Sequence, residues 1–595
     1  MNIRNNFFIF LCFVVLAFVL FSNGISGNFV FDDKAIIVGN PMVERISGVF
    51  EAFLSPYQYA KPQAGLYRPL TFASFVIDWH LFSGNPAGFH VVNILLHALA
   101  GFLIFLMVSN LSKKHTALVS SLLFLFLPIH VEAVTSIVGR GELLMFLFFA
   151  LAFLLVQKRH YKTAAIAFFL SLLSKETAMA FVPIFLFFEF VWRKESARGL
   201  IKKTLYFVPL LAVYSILRYN ALGAEYFISA HTYSFFNPIA AMDFWPGLWT
   251  TFKVLYFYVQ KIIFPTYFSS DYSYNQITVV SNLFHSWQAM IGIFLFAGTI
   301  YLTVVKRNSL AGLGAVIFLF SYLIVSNLFI KTGTIMAERL MYMPSLGLIV
   351  IIAILLDCLL EKKGIVRKIT FVGFAAVLGA YGFVVIDRNR DWLNEKALFE
   401  SAYAVAPNSV VNITNIASIL FKESRNEEAL EKIKDALAIE PKNSPTLHIG
   451  GKIYEKMGKD KIAEEWWKEA ILVQPDYLYP YLSLGALYYK KGDFERGEEI
   501  MLKAKEMYST PNVITILALN KIGIEEYSET IDLIEEEFGK KPKEYELRFI
   551  LGVAYLRYGN ESRAEELLLE LKDPTLSEND FLFNLKKTKI FNIEI

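Results

Sequence analysis

Long apolar runs separated by short polar turns dominate the first 390 or so residues. A helix needs about 20 mainly apolar residues to cross a bilayer, and flanking polar residues extend the shorter runs to that length. Eleven runs fit this description: 7–25, 88–108, 116–130, 141–156, 161–174, 177–192, 203–219, 287–305, 311–330, 341–360 and 367–386. The pattern predicts a multi-pass bundle of transmembrane helices.

A further apolar and aromatic run, 245–264, lies inside the long polar loop 220–286 and contains Lys253 and Lys261. We interpret it as a re-entrant or interfacial helix, because the alternation of loop charge holds only if it does not cross the membrane. Whether it crosses is left open by the sequence.

Loop charge predicts the orientation, since short cytoplasmic loops are rich in Lys and Arg. The basic turns are 113–115, 157–160, 192–203, 306–307 and 361–368, whereas the alternate loops 26–87, 131–140, 220–286 and 331–340 mix acids and bases. This places the N-terminus in the cytoplasm and everything after residue 388 outside it. A cleaved signal peptide is the alternative for the first run, although no small-residue cleavage site follows it.

The last third is charged and repeats every 34 residues. Ala402, Ala436, Ala470 and Ala504 fall in register, as do Pro407, Pro441 and Pro475. Small residues, aromatics and prolines at this period are typical of tetratricopeptide repeats, which stack into a solenoid with a concave binding face. The sequence therefore predicts an all-α protein with a membrane domain, 1–387, and an extracytoplasmic solenoid of about five repeats, 388–595.

Composition agrees with this architecture. Hydrophobic residues make up 55% of the chain and aromatic residues 16%, which is unusual for a soluble domain. The only cysteines, Cys12 and Cys358, lie in apolar runs, which argues against a disulfide framework and excludes a cysteine-based zinc site. The net charge of +3 adds little, and nucleic acid is not an expected partner.

Charged residues collect at the outer ends of the spans. Adjacent carboxylates, Asp32 and Asp33, follow the first span within the loop 26–87, where either could serve as a general base beside a lipid-borne substrate. The alternative is a solvated loop or helix cap followed by an Asn-Pro turn. The other charged residues at these ends are Arg68, Glu132, Arg140, Glu142, Lys175, Glu338 and Arg339. The cations suit a phosphate.

Several polar residues lie within or beside spans, where they mark either a site or a packing contact. His90, Asn93 and His97 share one helical face, which favours a hydrogen-bonded packing face, with a metal ligand set as the alternative. His130 precedes Glu132. Tyr342 shares a face with Arg339, and this pair fits either a lipid phosphate or an interfacial anchor.

These residues, in this order, carry a resemblance to a known family. The stretches are Phe29-Val-Phe-Asp32-Asp33, Tyr67-Arg68-Pro-Leu, Phe89-His90-Val-Val-Asn93-Ile-Leu-Leu-His97, Pro128-Ile-His130-Val-Glu132-Ala, Gly139-Arg140-Gly-Glu142, Leu173-Ser-Lys175-Glu-Thr and Glu338-Arg339-Leu-Met-Tyr342-Met-Pro-Ser. With the repeats, the sequence resembles the transmembrane and tetratricopeptide-repeat protein O-mannosyltransferases of the GT-C glycosyltransferase class, and their prokaryotic relatives.

The resemblance implies inverting transfer of a sugar, by extrapolation mannose, from a dolichyl or undecaprenyl phosphate to Ser or Thr hydroxyls of an acceptor protein that the solenoid binds. It implies Asp32 as base and Asp33 as its second choice or partner. Arg140, Lys175 and Arg339 would bind the donor phosphate, and Tyr342 would donate a hydrogen bond to it. Glu132 would orient the acceptor or, with Asp32, hold a divalent cation; no other cofactor is implied.

The membrane would be the plasma membrane of a prokaryote or the endoplasmic reticulum of a eukaryote.

Two other functions are alternatives to glycosyl transfer. A membrane-anchored adaptor would bind partners through the repeats without catalysis. A transporter or flippase would need charges or broken helices near the middle of the membrane, whereas here the charges crowd one face.

Overall fold

Helices are the only regular elements among the residues that the structure, a computed structural model, describes: 3–58, 65–223, 233–542 and 544–569. The all-helical fold predicted from the sequence is confirmed. The chain forms two compact units, Met1–Asn412 and Ile413–Ile595.

The first unit contains the apolar half of the chain. Its α-helices are α1 Ile3–Phe21, α2 Gly48–Glu51, α3 Pro69–Leu81, α4 Pro86–Ser109, α5 Lys114–Phe126, α6 Val131–Thr135, α7 Arg140–Gln157, α8 Tyr161–Ser174, α9 Phe181–Phe187, α10 Ala197–Thr204, α11 Val208–Leu222, α12 Phe244–Ile263, α13 Trp287–Val305, α14 Leu310–Val325, α15 Pro344–Leu360, α16 Ile365–Asn389 and α17 Glu395–Val405.

Among its described residues, six helical segments are long and apolar enough to span a membrane, and a bent pair, Lys114–Phe126 with Pro128–Thr135, makes a seventh. The six are Asn6–Gly24, Pro86–Ser109, Ile137–Gln157, Ala197–Leu222, Trp287–Val305 and Ile365–Trp392. Each of the seven overlaps a predicted span. The protein is thus a multi-pass membrane protein.

The other four predicted spans are shorter or broken helices. Three correspond to α8, α14 and α15, which are apolar but below the length needed to cross alone. The fourth, 177–192, divides into a 3-10 turn, α9 and a π-helical turn, Phe188–Trp192. The count of eleven spans stays a prediction.

Helix α12 corresponds to the run 245–264, and part of its loop, 224–232, lies outside the described residues. Its two lysines are buried, and the ammonium of Lys253 donates to the carbonyl of Thr278 at 2.9 Å and to its hydroxyl at 2.7 Å. Helix α12 is not among the candidate spans. Its interfacial or re-entrant placement stays a prediction.

The second unit continues from α18, Val410–Lys422, whose first residues belong to the first unit. Its helices pair in sequence order: α18 with α19 Asn426–Ile439, α20 Ser444–Lys456 with α21 Asp460–Val473, α22 Leu478–Lys491 with α23 Phe494–Met507, α24 Pro511–Gly523 with α25 Tyr527–Phe538, and α26 Tyr545–Tyr558 with α27 Glu561–Leu569.

The repeated residues have repeated physical roles. Ala436, Ala470 and Ala504 are fully buried, and each carbonyl accepts the backbone N–H four residues later, at the end of its helix. Gly451 lies where α20 meets α21, and a Cβ there would be 2.3 Å from the indole nitrogen of Trp467. Close helix contact therefore requires the small residues that the period revealed.

The division between the units falls at residue 412, 25 residues after the predicted boundary of 387. The intervening segment belongs to the first unit, and it bonds to the loop 26–87. The N–H of Asn28 donates to the carbonyl of Leu393 at 3.0 Å, and Lys34 pairs with Glu395 at 2.9 Å.

Candidate active site

Asp32 and Asp33 lie in a tight turn that gives their side chains different environments. Phe31 is left-handed, with φ of 52°, and the N–H of Asp33 donates to the carbonyl of Val30 at 3.0 Å. This conformation is unfavourable for a residue with a bulky side chain. The Phe31 ring packs edge-on against Phe399, with centroids 5.7 Å apart, which holds the turn in place.

Asp33 faces inward and links the loop 26–87 to the loop 131–140. Its Oδ2 accepts from the N–H of Val30 at 3.1 Å, and its Oδ1 accepts from the N–H of Val138 at 2.9 Å. Burial raises the pKa of Asp33 to about 7, although both backbone donors oppose that shift. Its geometry is that of a positioning residue.

Asp32 is half-buried and retains access to solvent. Among the described residues, it has neither a hydrogen-bond donor nor an ion-pair partner. A carboxylate in this condition can accept a proton or a hydrogen bond from a molecule that arrives from outside.

Glu132 and Arg339 form an ion pair, and the negative charge of Asp32 also acts on Arg339. Glu132 is buried and accepts both from the guanidinium of Arg339 and from its backbone N–H, the latter at 2.9 Å. Burial lowers the pKa of Arg339, but the charges of Glu132 and Asp32 raise it, and the net shift is upward. Arg339 keeps 29% of its side chain exposed.

Lys175 and Glu176 pair with different partners, as their adjacent positions lead one to expect. Lys175 donates to the buried Glu142. Glu176 receives two hydrogen bonds from Arg68, at 2.5 and 3.0 Å. The predicted phosphate ligand Lys175 is therefore buried and neutralised by a carboxylate.

Arg140 is fully buried and is already neutralised inside the protein. Its guanidinium pairs with Asp78 at 2.5 Å, and it donates to the side-chain oxygen of Asn93 at 2.8 Å and to the carbonyl of Phe89 at 3.0 Å. The group also lies 5.1 Å from the centre of the Phe75 ring. These contacts connect α3, α4 and α7, which favours a structural role over phosphate binding.

The histidine face of α4 is part of a buried network. His97 bonds to the hydroxyl of Tyr342 at 2.8 Å and lies 3.3 Å from the carbonyl of Leu125. His130 bonds to the hydroxyl of Ser345 at 2.8 Å. His90 is buried on the same face of α4 as His97. Tyr342 is thus a packed core residue whose hydroxyl is engaged by His97, which favours a packing role over the predicted hydrogen bond to a phosphate.

Asn93 is the other polar residue of this face, and its amide nitrogen lies within 3.3 Å of the carbonyls of Val134, Ser136 and Ile137. This contact fixes the turn that precedes Arg140. The same turn supplies the Val138 N–H to Asp33, so Asn93 and Arg140 indirectly position the acidic pair.

Glu338 is buried beside Arg339 and faces a different set of groups. It accepts from the hydroxyl of Tyr272 and from the N–H of Ser269, the latter at 2.8 Å. Burial raises the pKa of Glu338, while the charges of Arg388 and Lys261 oppose the shift. Glu338 anchors the 3-10 turn Glu338–Met341 and so fixes the backbone that carries Arg339.

The sequence analysis did not assign a role to Asp78 or Tyr272. Asp78 lies in the otherwise mainly apolar helix α3, and an isolated carboxylate in such a helix signals a buried partner. Its partner, Arg140, is 62 positions away, and only the fold brings them together. Tyr272 carries no comparable signal, because tyrosines are frequent in the loop 220–286.

The arrangement does not suit the divalent cation that Asp32 and Glu132 would hold. Both oxygens of Glu132 are already occupied by Arg339. Among the described residues, the one group of three metal-type ligands is Glu498, Glu526 and Glu529 in the second unit. There the ammonium of Lys521 lies 2.5–2.7 Å from all three carboxylates.

The chain has relatives among known proteins, although no protein-family model matches it. It is 27% identical over 448 residues to the Caenorhabditis elegans protein O-mannosyl-transferase F38B6.6, covering 72% of this chain and 62% of the relative. It is 26% identical over 532 residues to human protein O-mannosyl-transferase TMTC3, covering 78% and 56%. The chain thus spans roughly six-tenths of the length of these relatives.

Two solved structures of tetratricopeptide-repeat proteins resemble part of the chain. The tetratricopeptide protein YrrB is 16% identical and covers 31% of this chain and 91% of its own, with a TM-score of 0.26. A tetratricopeptide repeat protein from Parabacteroides merdae is 18% identical and covers 39% and 85%, with a TM-score of 0.27. Over 66–82% of its length, the chain is thus similar to protein O-mannosyl-transferases, at 25–27% identity.

Proposed function

We propose that this protein is a glycosyltransferase that moves a mannosyl group from a polyprenyl phosphate to Ser or Thr hydroxyls of proteins at the outer surface of the membrane. The names of its homologues support protein O-mannosylation. The donor and the residue roles are those that the family resemblance implies, and the side of the membrane is our inference from loop charge.

One observation carries the proposal: Asp32 is a solvent-accessible carboxylate without a partner among the described residues, within electrostatic reach of the partly exposed Arg339. A base and a cation are the two groups that transfer from a sugar phosphate to a hydroxyl requires. Of the cations predicted to bind the phosphate, Arg140 and Lys175 are nearly or fully buried in ion pairs, so we assign the phosphate contact to Arg339.

In the proposed step, the acceptor hydroxyl attacks the anomeric carbon of the sugar from the face opposite the phosphate. The new bond joins the acceptor oxygen to that carbon, and the bond from the carbon to the phosphate oxygen breaks. The hydroxyl proton passes to Asp32, and the polyprenyl phosphate leaves with the bonding electrons. Arg339 stabilises its negative charge, and the configuration of the sugar inverts.

The remaining charged residues would position these two. Asp33 and the pair formed by Arg140 and Asp78 hold the first two outer loops together, while Glu132 and Glu338 fix the turn that carries Arg339. We propose that the solenoid binds the acceptor protein.

The test is transfer of radiolabelled mannose from a short-chain polyprenyl phosphate to membrane proteins, comparing wild type with Asp32→Asn. Loss of a general base lowers the rate by about 10² to 10⁴-fold, and we expect a decrease in that range. Glu44→Gln changes an exposed carboxylate of the same loop and is the matched control.

Equal transfer by wild type and Asp32→Asn would remove Asp32 from the reaction. If no donor in a panel of polyprenyl-phosphate sugars supports transfer while the solenoid still captures partner proteins, the adaptor function would replace the enzymatic one.

A further inference from the structure

Helix α10 begins just after the basic turn 192–196 and combines cationic and apolar residues. The hydroxyl of Ser196 caps it by accepting from the N–H of Gly199 at 3.1 Å. None of its eight residues is buried, and the helix is strongly amphipathic. It forms the first residues of the candidate span Ala197–Leu222, and the first residues of a span lie near the membrane surface.

An apolar groove runs between α10 and α9. Leu186 of α9 lines one side, and Leu200, Ile201, Thr204 and Leu205 line the other. The groove has a volume of about 220 Å³ and is open to the exterior.

Cations border this groove and are of two kinds. Arg193 and Lys203 pair with the buried carboxylate of Glu189, at 2.8 and 2.6 Å, and so are neutralised within the protein. Arg198 and Lys202 are exposed, and among the described residues no carboxylate pairs with them.

Helical spacing places these exposed cations beside the groove. Arg198 precedes Ile201 by three positions, and Lys202 precedes Leu205 by three, so each cation neighbours a groove-lining residue on the helix surface. Ile201 is 61% exposed and Leu205 57%, which leaves their apolar surface available to another molecule.

We propose that this groove binds an anionic phospholipid, with an acyl chain against Leu186, Ile201 and Leu205 and the phosphate between Arg198 and Lys202. An apolar channel bordered by unpaired cations at the end of a membrane span matches a molecule with an apolar tail and a negative head group. The site lies apart from Asp32 and is independent of the proposed transferase reaction.

The test uses the full-length protein in detergent and native mass spectrometry to compare binding of dioleoyl-phosphatidylglycerol with dioleoyl-phosphatidylcholine. A cation near an anionic lipid contributes about 1 kcal/mol, so the double variant Arg198→Gln, Lys202→Gln should weaken the tightest phosphatidylglycerol site by about thirtyfold. The zwitterionic lipid should be little affected.

A matched control makes the same two changes at an exposed basic turn elsewhere, Lys362→Gln with Lys363→Gln, and should retain the preference. Ile201→Trp fills the groove without changing charge and should weaken both lipids at this site. A higher salt concentration should weaken binding of the anionic lipid to the wild type and leave binding of the zwitterionic lipid unchanged. This measurement needs no variant.

Equal loss in the control variant would mean that surface charge in general attracts the lipid and would overturn the proposal. Unchanged binding by Ile201→Trp would overturn the assignment of the acyl chain to the groove. Competition by glycerol phosphate as strong as by the lipid would show that only the head group is recognised and would likewise reject the groove.

Discussion

Asp32 and Asp33 are neighbours in the chain, yet one reaches solvent and the other is enclosed and bound to two backbone N–H groups. The left-handed Phe31 produces this division by turning the chain directly before them. At the scale of single residues, two identical carboxylates therefore differ in proposed role because their environments differ: Asp32 is the proposed base and Asp33 the proposed positioning residue.

The raised pKa of Asp33 predicts a measurable pH dependence of stability. In the unfolded chain this carboxyl ionises near pH 4, whereas in the folded protein it ionises near pH 7. Folding stability should therefore fall as pH rises from 4 to 7, by about 4 kcal/mol for this group, and level off above.

Asp33→Asn removes that ionisation. The difference in melting temperature between wild type and variant should shift in favour of the variant between pH 5 and pH 8, and Glu44→Gln should show no such shift. A difference that stays constant with pH would contradict the predicted burial of an ionisable group.

The buried pair of Arg140 and Asp78 predicts a large effect of neutralising one partner. Asp78→Asn leaves a buried guanidinium without its counter-charge, and breaking such a pair costs about 3–5 kcal/mol. Glu51→Gln breaks the exposed pair with Arg45, 3.0 Å apart, and should cost less than about 1 kcal/mol. Thermal unfolding in detergent measures both, and similar losses would contradict the structural role of Arg140.

At the scale of elements, the solenoid shows how a repeat fixes backbone conformation. The turns between paired helices contain Ser424, Gly458, Gly492, Glu525 and Gly559, all with positive φ. Successive positions are 34 residues apart except for Gly492 and Glu525, which are 33 apart, and this step is the shift of register visible in the sequence between residues 510 and 543.

These turns predict opposite effects for two substitutions. Glu525→Gly removes an unfavourable left-handed side chain and should stabilise its repeat by about 1 kcal/mol. Gly492→Ala introduces such a side chain and should destabilise its repeat by a similar amount, since open space surrounds its Cβ position and only the backbone is affected. Hydrogen exchange of the two repeats in the full chain reports both, and effects of equal sign would contradict the turn geometry.

At the scale of the whole molecule, the charge of the loops predicts which side each segment faces. In a variant without Cys12 and Cys358, a cysteine at Lys442 should react with a membrane-impermeant maleimide applied to intact cells or sealed vesicles of matching orientation. A cysteine at Lys362 should react only after permeabilisation. Both positions are exposed. Labelling of Lys362→Cys alone would reverse the predicted topology.

The sequence by itself determined the helical class, the membrane-spanning runs and the repeats, because hydrophobic runs and a 34-residue period are local or regular signals. It also located charged residues near the ends of the apolar runs. The division into compact units at residue 412 involves bonds from Asn28 and Lys34 to the segment after residue 388, which are contacts between distant parts of the chain and have no local signal.

Only the tertiary structure decided which acidic and basic residues form ion pairs with each other. Three ion pairs join residues that are 33 to 207 positions apart in the sequence: Arg140 with Asp78, Lys175 with Glu142, and Glu132 with Arg339. Pairing of this kind depends on helix packing, which no local pattern encodes. The same packing buries Tyr342 against His97 and leaves Asp32 accessible to solvent. The sequence lists several charged residues as candidates, and the fold shows which of these carboxylates is accessible and unpaired among the described residues.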